Sequence, residues 1–174
     1  MSTASKEWKS ENGEEWPGRK VGTYKWYELQ DAVDYWEWFN TPKIILGRFV
    51  NGPMYCYDDA GHYHNDALYI IGGATPMLAG LLNSSVVWWF LRATCTELQN
   101  GYIQALIQNQ QPIPIPEMSQ KQQSEIEKLV EKILAQKKKN PEADVSALET
   151  EIDRLVYKLY GLTDEEITIV EGKA

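Results

Sequence analysis

Apolar positions follow two periods along this chain, and the switch between them falls near Pro116. Before it, short runs alternate or are wholly apolar. Lys43-Ile44-Ile45-Leu46-Gly47-Arg48-Phe49-Val50 reads as a strand. Asn51-Gly52 follows, a strong hairpin signal, and Met54-Tyr55-Cys56-Tyr57 reads as the returning strand. Ala67 to Ile71 is a third strand, ended by Gly72-Gly73, and Ile103 to Ile107 is a fourth. Between them, Thr75-Pro76 opens a helix over about 76–93 that is apolar on nearly every face, which predicts burial. Asn83-Ser84-Ser85 interrupts it, and the apolar stretch is too short for the ~18–20 residues of a membrane span. Pro112-Ile113-Pro114-Ile115-Pro116 is an extended connector.

After Pro116 the period is helical. Ser119 with Gln122 forms a capping box, and Ile126, Leu129, Val130, Ile133 and Leu134 make one stripe. Lys137-Lys138-Lys139 ends that helix, Asn140-Pro141 turns the chain, and Asp144 or Ser146 caps a second helix. Its stripe is Val145, Leu148, Ile152, Leu155, Val156 and Leu159, with Gly161 as the stop. Thr163 with Glu166 caps a short last helix. The predicted fold is α+β: a small mixed β-sheet packed on a buried helix, followed by a C-terminal antiparallel helical hairpin. The organisation is a lead-in over 1–22, an α/β domain over 23–116 and the hairpin with its short terminal helix over 117–174.

Composition narrows the function. The 174 residues carry a net charge of −8. Residues 1–116 have eight basic and twelve acidic side chains, and residues 117–174 have nine and thirteen, so neither part is a basic arm. A generally adhesive surface for nucleic acid or anionic lipid is excluded, whereas a local site is not. Cys56 and Cys95 lack C-x-x-C spacing and read as two thiols in a reducing compartment. Residues 1–19 are polar, with no signal-like apolar region, so the expected location is the cytoplasm.

Catalytic patterns are nearly absent. No phosphate loop, dinucleotide fingerprint or nucleophile elbow occurs. His62 and His64 beside Asp58, Asp59 and Asp66 fall short of a convergent ligand set, so no metal site is expected. The Trp/Tyr cluster over 24–38 reads as core and hinge in preference to a base-stacking platform. The most suggestive chemistry is the amide-rich stretch Gln99-Asn100-Gly101-Tyr102 with Gln104 and Gln108 to Gln111, because Asn and Gln bind an adenine edge bidentately.

Several stretches, in order, resemble one family. Trp26-Tyr27-Glu28-Leu29-Gln30 and Pro42-Lys43-Ile44-Ile45 resemble the entry to the TaqI-like C-terminal specificity domain. Tyr63-His64-Asn65-Asp66-Ala67-Leu68-Tyr69-Ile70-Ile71 is similar to its "YYNDTxYII", and Gly80-Leu81-Leu82-Asn83-Ser84 to its "LLGLLNS". Gly101-Tyr102 stands where Gly-Gly-Tyr is frequent, and Ile113-Pro114-Ile115-Pro116 resembles the closing "LPIP". Residues 152–163 resemble a terminal "IDxLVYxLYGLT". The resemblance implies target recognition on double-stranded DNA in type IIG restriction–modification enzymes and adenine-specific DNA methyltransferases. The catalytic methyltransferase or endonuclease domain would be a partner in cis or in trans, and S-adenosylmethionine would belong to that domain. This chain would carry no catalysis and no cofactor of its own, and no membrane partner.

The expected contacts are Lys43, Arg48 and Arg92 to phosphates, with Asn65, Gln99, Asn100, Tyr102, Gln104 and Gln108 near bases. One departure bears on affinity. Residues 103–107, where the family often has basic side chains, contain no Lys or Arg. That favours the alternative reading, a protein-interaction module that docks a methyltransferase or another partner through its hairpin, with DNA reading lost.

Overall fold

In a computed structural model of the chain, Lys25, Tyr27, Glu28 and residues 34–173 are described. The expected lead-in over 1–22 lies outside the described residues, as does Trp26 of the aromatic cluster. The chain forms two compact units, residues 1–36 and 37–174. In the first, Lys25 and Glu28 close a small turn: the Lys25 amide donates to Glu28 Oε2 at 2.7 Å and the Glu28 amide to the Lys25 carbonyl at 2.9 Å.

In the second unit, the single strand expected over 43–50 is two. β1 (Lys43–Gly47) stops at Arg48, and β2 (Phe49–Val50) belongs to another sheet. Arg48 is the break because its backbone is committed elsewhere. Its amide donates to the Ala67 carbonyl at 3.3 Å, and its carbonyl accepts from the Ala105 amide at 2.9 Å. β3 (Tyr55–Asp58) does return antiparallel to β1, with Leu46 opposite Tyr55. Asn51-Gly52 therefore lies inside a longer excursion that includes β2, and makes no two-residue turn. β4 (Leu68–Gly72) flanks β1 on its other side. Trp38 lies flat against Gly72, where an added Cβ would come within 2.2 Å of the indole.

The long buried helix is also two pieces. α1 (Pro76–Leu82) starts from Thr75, whose hydroxyl accepts the Leu78 amide. It ends at Asn83, and α2 (Ser85–Thr94) restarts after Ser84. The break has polar reasons. The Asn83 carboxamide satisfies both backbone groups of Tyr55, accepting from its amide at 3.0 Å and donating to its carbonyl at 2.7 Å. Asp153 accepts the Ser85 amide and hydroxyl at 2.8 and 2.7 Å, so a carboxylate from a distant helix caps α2.

β5 (Thr96–Glu97) and β6 (Ile103–Gln104) join β2 in a second sheet of order β2-β6-β5. The strand expected as far as Ile107 is thus shorter, and Ile107–Gln110 is a helical turn, α3. All pairings are antiparallel, so two small antiparallel sheets replace the single mixed one within an α+β fold.

The helical part follows its sequence signals. α4 (Gln120–Lys139) carries the Ser119/Gln122 capping box. α5 (Ser146–Tyr160) begins with the Ser146 amide donating to Asp144 Oδ1 at 3.0 Å and ends at left-handed Gly161. α6 (Asp164–Val170) has the Thr163/Glu166 capping box. Two apolar cores form. One joins Ile44, Leu46, Tyr55, Leu82, Val87, Leu91 and Ile103; the other joins Leu81 and Val86 to Ile126, Val130, Ile152 and Val156. α1 and α2 contribute to both, so the hairpin is packed against the α/β part. Among the described residues no helix is long and apolar enough to cross a membrane.

α1 and α4 approach closely at Gly80. An added Cβ would lie 2.7 Å from Val130 Cγ2 and 2.8 Å from Ile126 Cγ2, both on buried residues of α4. Gly80→Ala is therefore expected to destabilise the protein by about 1–3 kcal/mol through overpacking. Urea unfolding would show it as a lower midpoint at unchanged slope; an unchanged or higher midpoint would mean that α1 and α4 separate freely.

Candidate nucleic-acid interface

The second sheet gathers most of the expected base contacts. β6 is its central strand, pairing Gln104 with Phe49 on one side and Thr96 on the other. Ile103 is buried, so alternation turns Tyr102 and Gln104 to the opposite, outer face, beside half-exposed Phe49. Residues 98–102 connect β5 to β6. The Leu98 amide donates to the Tyr102 carbonyl at 2.7 Å, and Asn100 and Gly101 both adopt left-handed backbone, φ 62° and 74°. Asparagine tolerates that region better than most residues, which explains Asn100 at the tip. Gln99 and Asn100 are exposed there.

Arg92 is exposed in the last turn of α2 and lines a groove of about 350 Å³ with Trp88, Trp89, Glu97 and Gly101, among others. Arg48 sits at the other side of the sheet. Its Nη1 donates to the Asp66 carbonyl at 3.3 Å, and its guanidinium lies 5.6 Å from the Tyr69 ring centre. Its Nε is buried without a hydrogen-bond partner. Asn65 starts the loop that Arg48 holds, and its Oδ1 accepts from the Ala67 amide at 3.0 Å. Gln108 is exposed on α3. Its neighbours in the amide run have structural duties: Asn109 Nδ2 donates to the Thr94 carbonyl, and Gln110 Oε1 accepts from the Tyr55 hydroxyl.

Lys43 is the correction. Expected at a phosphate, it is fully buried. Its ammonium donates to the Phe39 carbonyl at 2.8 Å and pairs with the Asp58 carboxylate. Asp58 also bonds to the His62 ring at 2.7 Å and accepts its amide at 3.0 Å, so the exposed His62 side chain covers the buried Lys43–Asp58 pair from the solvent side. Among the described residues no group of three or more potential ligands could hold a metal ion. Of the described aromatics over 24–38, Tyr27, Tyr35, Trp36 and Trp38 are exposed, and Trp38 also packs against Gly72. Sequence reasoning missed Phe49 as a face residue. The signal was present, since Ile44, Leu46 and Val50 take the inward positions of one alternation and leave Phe49 outward.

The family model of the TaqI-like C-terminal specificity domain matches residues 5–115. The chain belongs to this family. No curated protein matches it. The specificity-domain match takes in both sheets, α1 to α3 and the connector up to Ile115, and so contains every contact expected from the sequence. The α4–α5 hairpin and α6 lie beyond it.

Burial pushes the Asp58 carboxyl up, but hydrogen bonds from Lys43, from the His62 ring and from the Ala60 and His62 amides outweigh it and hold the group well below the usual carboxylate range. A depressed folded-state pKa adds stability that is complete above the unfolded value of ~3.9 and is lost as pH falls through the folded one. Asp58→Ala strands a buried ammonium and is expected to cost about 3–5 kcal/mol at pH 7. The gap from wild type should narrow below about pH 4. Urea midpoints from pH 7 to 3 measure this, and a constant gap would show that Lys43 does not depend on the carboxylate.

Proposed function

We propose that this chain is the DNA target-recognition part of a restriction–modification enzyme, of the type IIG or adenine-specific methyltransferase kind, without chemistry of its own. Membership of a specificity-domain family carries the reading. The outer face of the second sheet supports it, because Tyr102 and Gln104 share that face and Gln99 and Asn100 stand at its rim. Tyr102 supplies a stacking surface, and the carboxamides supply paired donors and acceptors for base edges. Arg92, exposed beside the β5–β6 tip, supports the reading as a cation that would meet a phosphate.

The catalytic methyltransferase or endonuclease domain, with its S-adenosylmethionine, is a partner in cis or in trans. It supplies much of the electrostatic attraction, because binding strength on duplex DNA rests largely on phosphate neutralisation. With Lys43 buried, this chain brings few cations to that face. The same shortage favours a second reading, a protein-interaction module in which the sheet no longer holds DNA.

Selection from a randomised duplex pool, at low salt and again at ~150 mM, separates the two. Enrichment of one short motif that survives the salt increase is the expected result, in the isolated chain or after adding the catalytic partner. Absence of any motif even with the partner would sink DNA reading. Gln104→Ala and Gln108→Ala are expected to relax base choice by about 1–3 kcal/mol per lost bidentate contact. Asn100→Gly removes the tip carboxamide while keeping its left-handed backbone, so it isolates recognition from folding.

A further inference from the structure

β3 is an edge strand of the first sheet, and among the described residues no strand pairs with its outer side. Its outward backbone groups are only half used. Tyr55 turns its amide and carbonyl away from β1, where the Asn83 carboxamide takes both, as an added strand would. Antiparallel pairing alternates, so Cys56 turns inward to Ile45 and Tyr57 turns outward again. No described backbone or side-chain acceptor meets the Tyr57 amide, and its carbonyl has only the Cys56 thiol at 3.8 Å. Proteins normally blunt such edges. Here Pro53 before the strand and the Asp58 ion pair after it limit the open part to about one rung.

That rung opens into a crevice of about 440 Å³ between β3 and the hairpin. The far wall is apolar: Val130, Ile133, Leu134 and Ile152. Ser84, also lining it, is 2% exposed, and its hydroxyl has no hydrogen-bond partner. The charged residues that line the crevice have one sign. Glu149 and Asp153 line it, no lining residue is cationic, and the Tyr57 phenol is pushed up by burial first and then by the carboxylates of Asp59 and Glu127.

We propose that this crevice binds an extended segment of a protein partner that pairs with Tyr57, sets an apolar side chain against the α4–α5 wall and presents a lysine or arginine to the acidic rim. The partner's backbone completes the sheet edge by strand addition, and alternate side chains give the selectivity. A second copy of this chain is a poor occupant, since its net charge of −8 would meet an acidic rim.

The probe is a displayed library of random heptapeptides, selected on the full chain without DNA. Synthetic versions of the enriched peptides are then titrated by fluorescence anisotropy. The expected outcome is enrichment of alternating apolar and basic residues. Affinity should fall at least tenfold for Leu134→Asp, a change at an exposed position, and tenfold again when the peptide's central amide is N-methylated, which leaves the protein untouched. Tyr57→Pro removes the outward N–H and is expected to act like the N-methylated peptide. No enrichment, enriched peptides lacking basic residues, or affinities indifferent to N-methylation and to Leu134→Asp would each overturn the proposal.

Discussion

The structure depends on how closely α1 and α4 approach at Gly80. A helix of seven residues is too short to be stable by itself and needs tertiary partners along its length. α1 finds them on two sides: Ala79 and Leu82 face the sheet core while Leu81 faces the hairpin core. The absence of a Cβ at position 80 lets the second contact form at backbone range. Both cores are then continuous through α1 and α2, and the helical hairpin is held to the sheets by packing as well as by the proline connector.

Polar groups fix the angles that packing leaves loose. Asn83 bonds α1 to β3, Asp153 bonds α5 to α2, and the Tyr160 hydroxyl donates to the Pro114 carbonyl at 2.6 Å, pinning the connector to the end of α5. Each satisfies a backbone group, at a strand edge, at a helix start and in the connector, that would otherwise lack a partner within its own element. The Lys43–Asp58 pair does similar work at the start of β1, tying it through Phe39 to the turn before it.

Much of this was readable from the chain and some was not, for a consistent physical reason. The Ser119/Gln122 and Thr163/Glu166 boxes, the two helical stripes and the Gly161 stop all formed as expected, because each is decided within four residues of itself. The division of residues 43–50 was hidden, since its alternation runs unbroken past Arg48 and only Ala67 and Ala105, distant in sequence, reveal the break. Asn83-Ser84-Ser85 was visible as an interruption, but its partners Tyr55 and Asp153 were not. Lysine at a strand entrance reads as solvated, and nothing local marks Asp58 as its mate. In the interface, the amide-rich hairpin tip was legible as chemistry. The pattern could not tell Gln108, which is exposed, from Asn109 and Gln110, which are spent on the backbone and on Tyr55.

Arg48 alone links β1 to β2, and so is the shortest of the connections between the two sheets. Its amide and carbonyl are tied to different loops, and its guanidinium is held by the Asp66 carbonyl. A joint of one residue, clamped at both backbone groups, has no torsional slack. Those bonds restrict how far the second sheet can swivel on the first at this link. Ordering entropy on this side has already been settled during folding, so in any encounter the work of adjusting shape falls on the visitor.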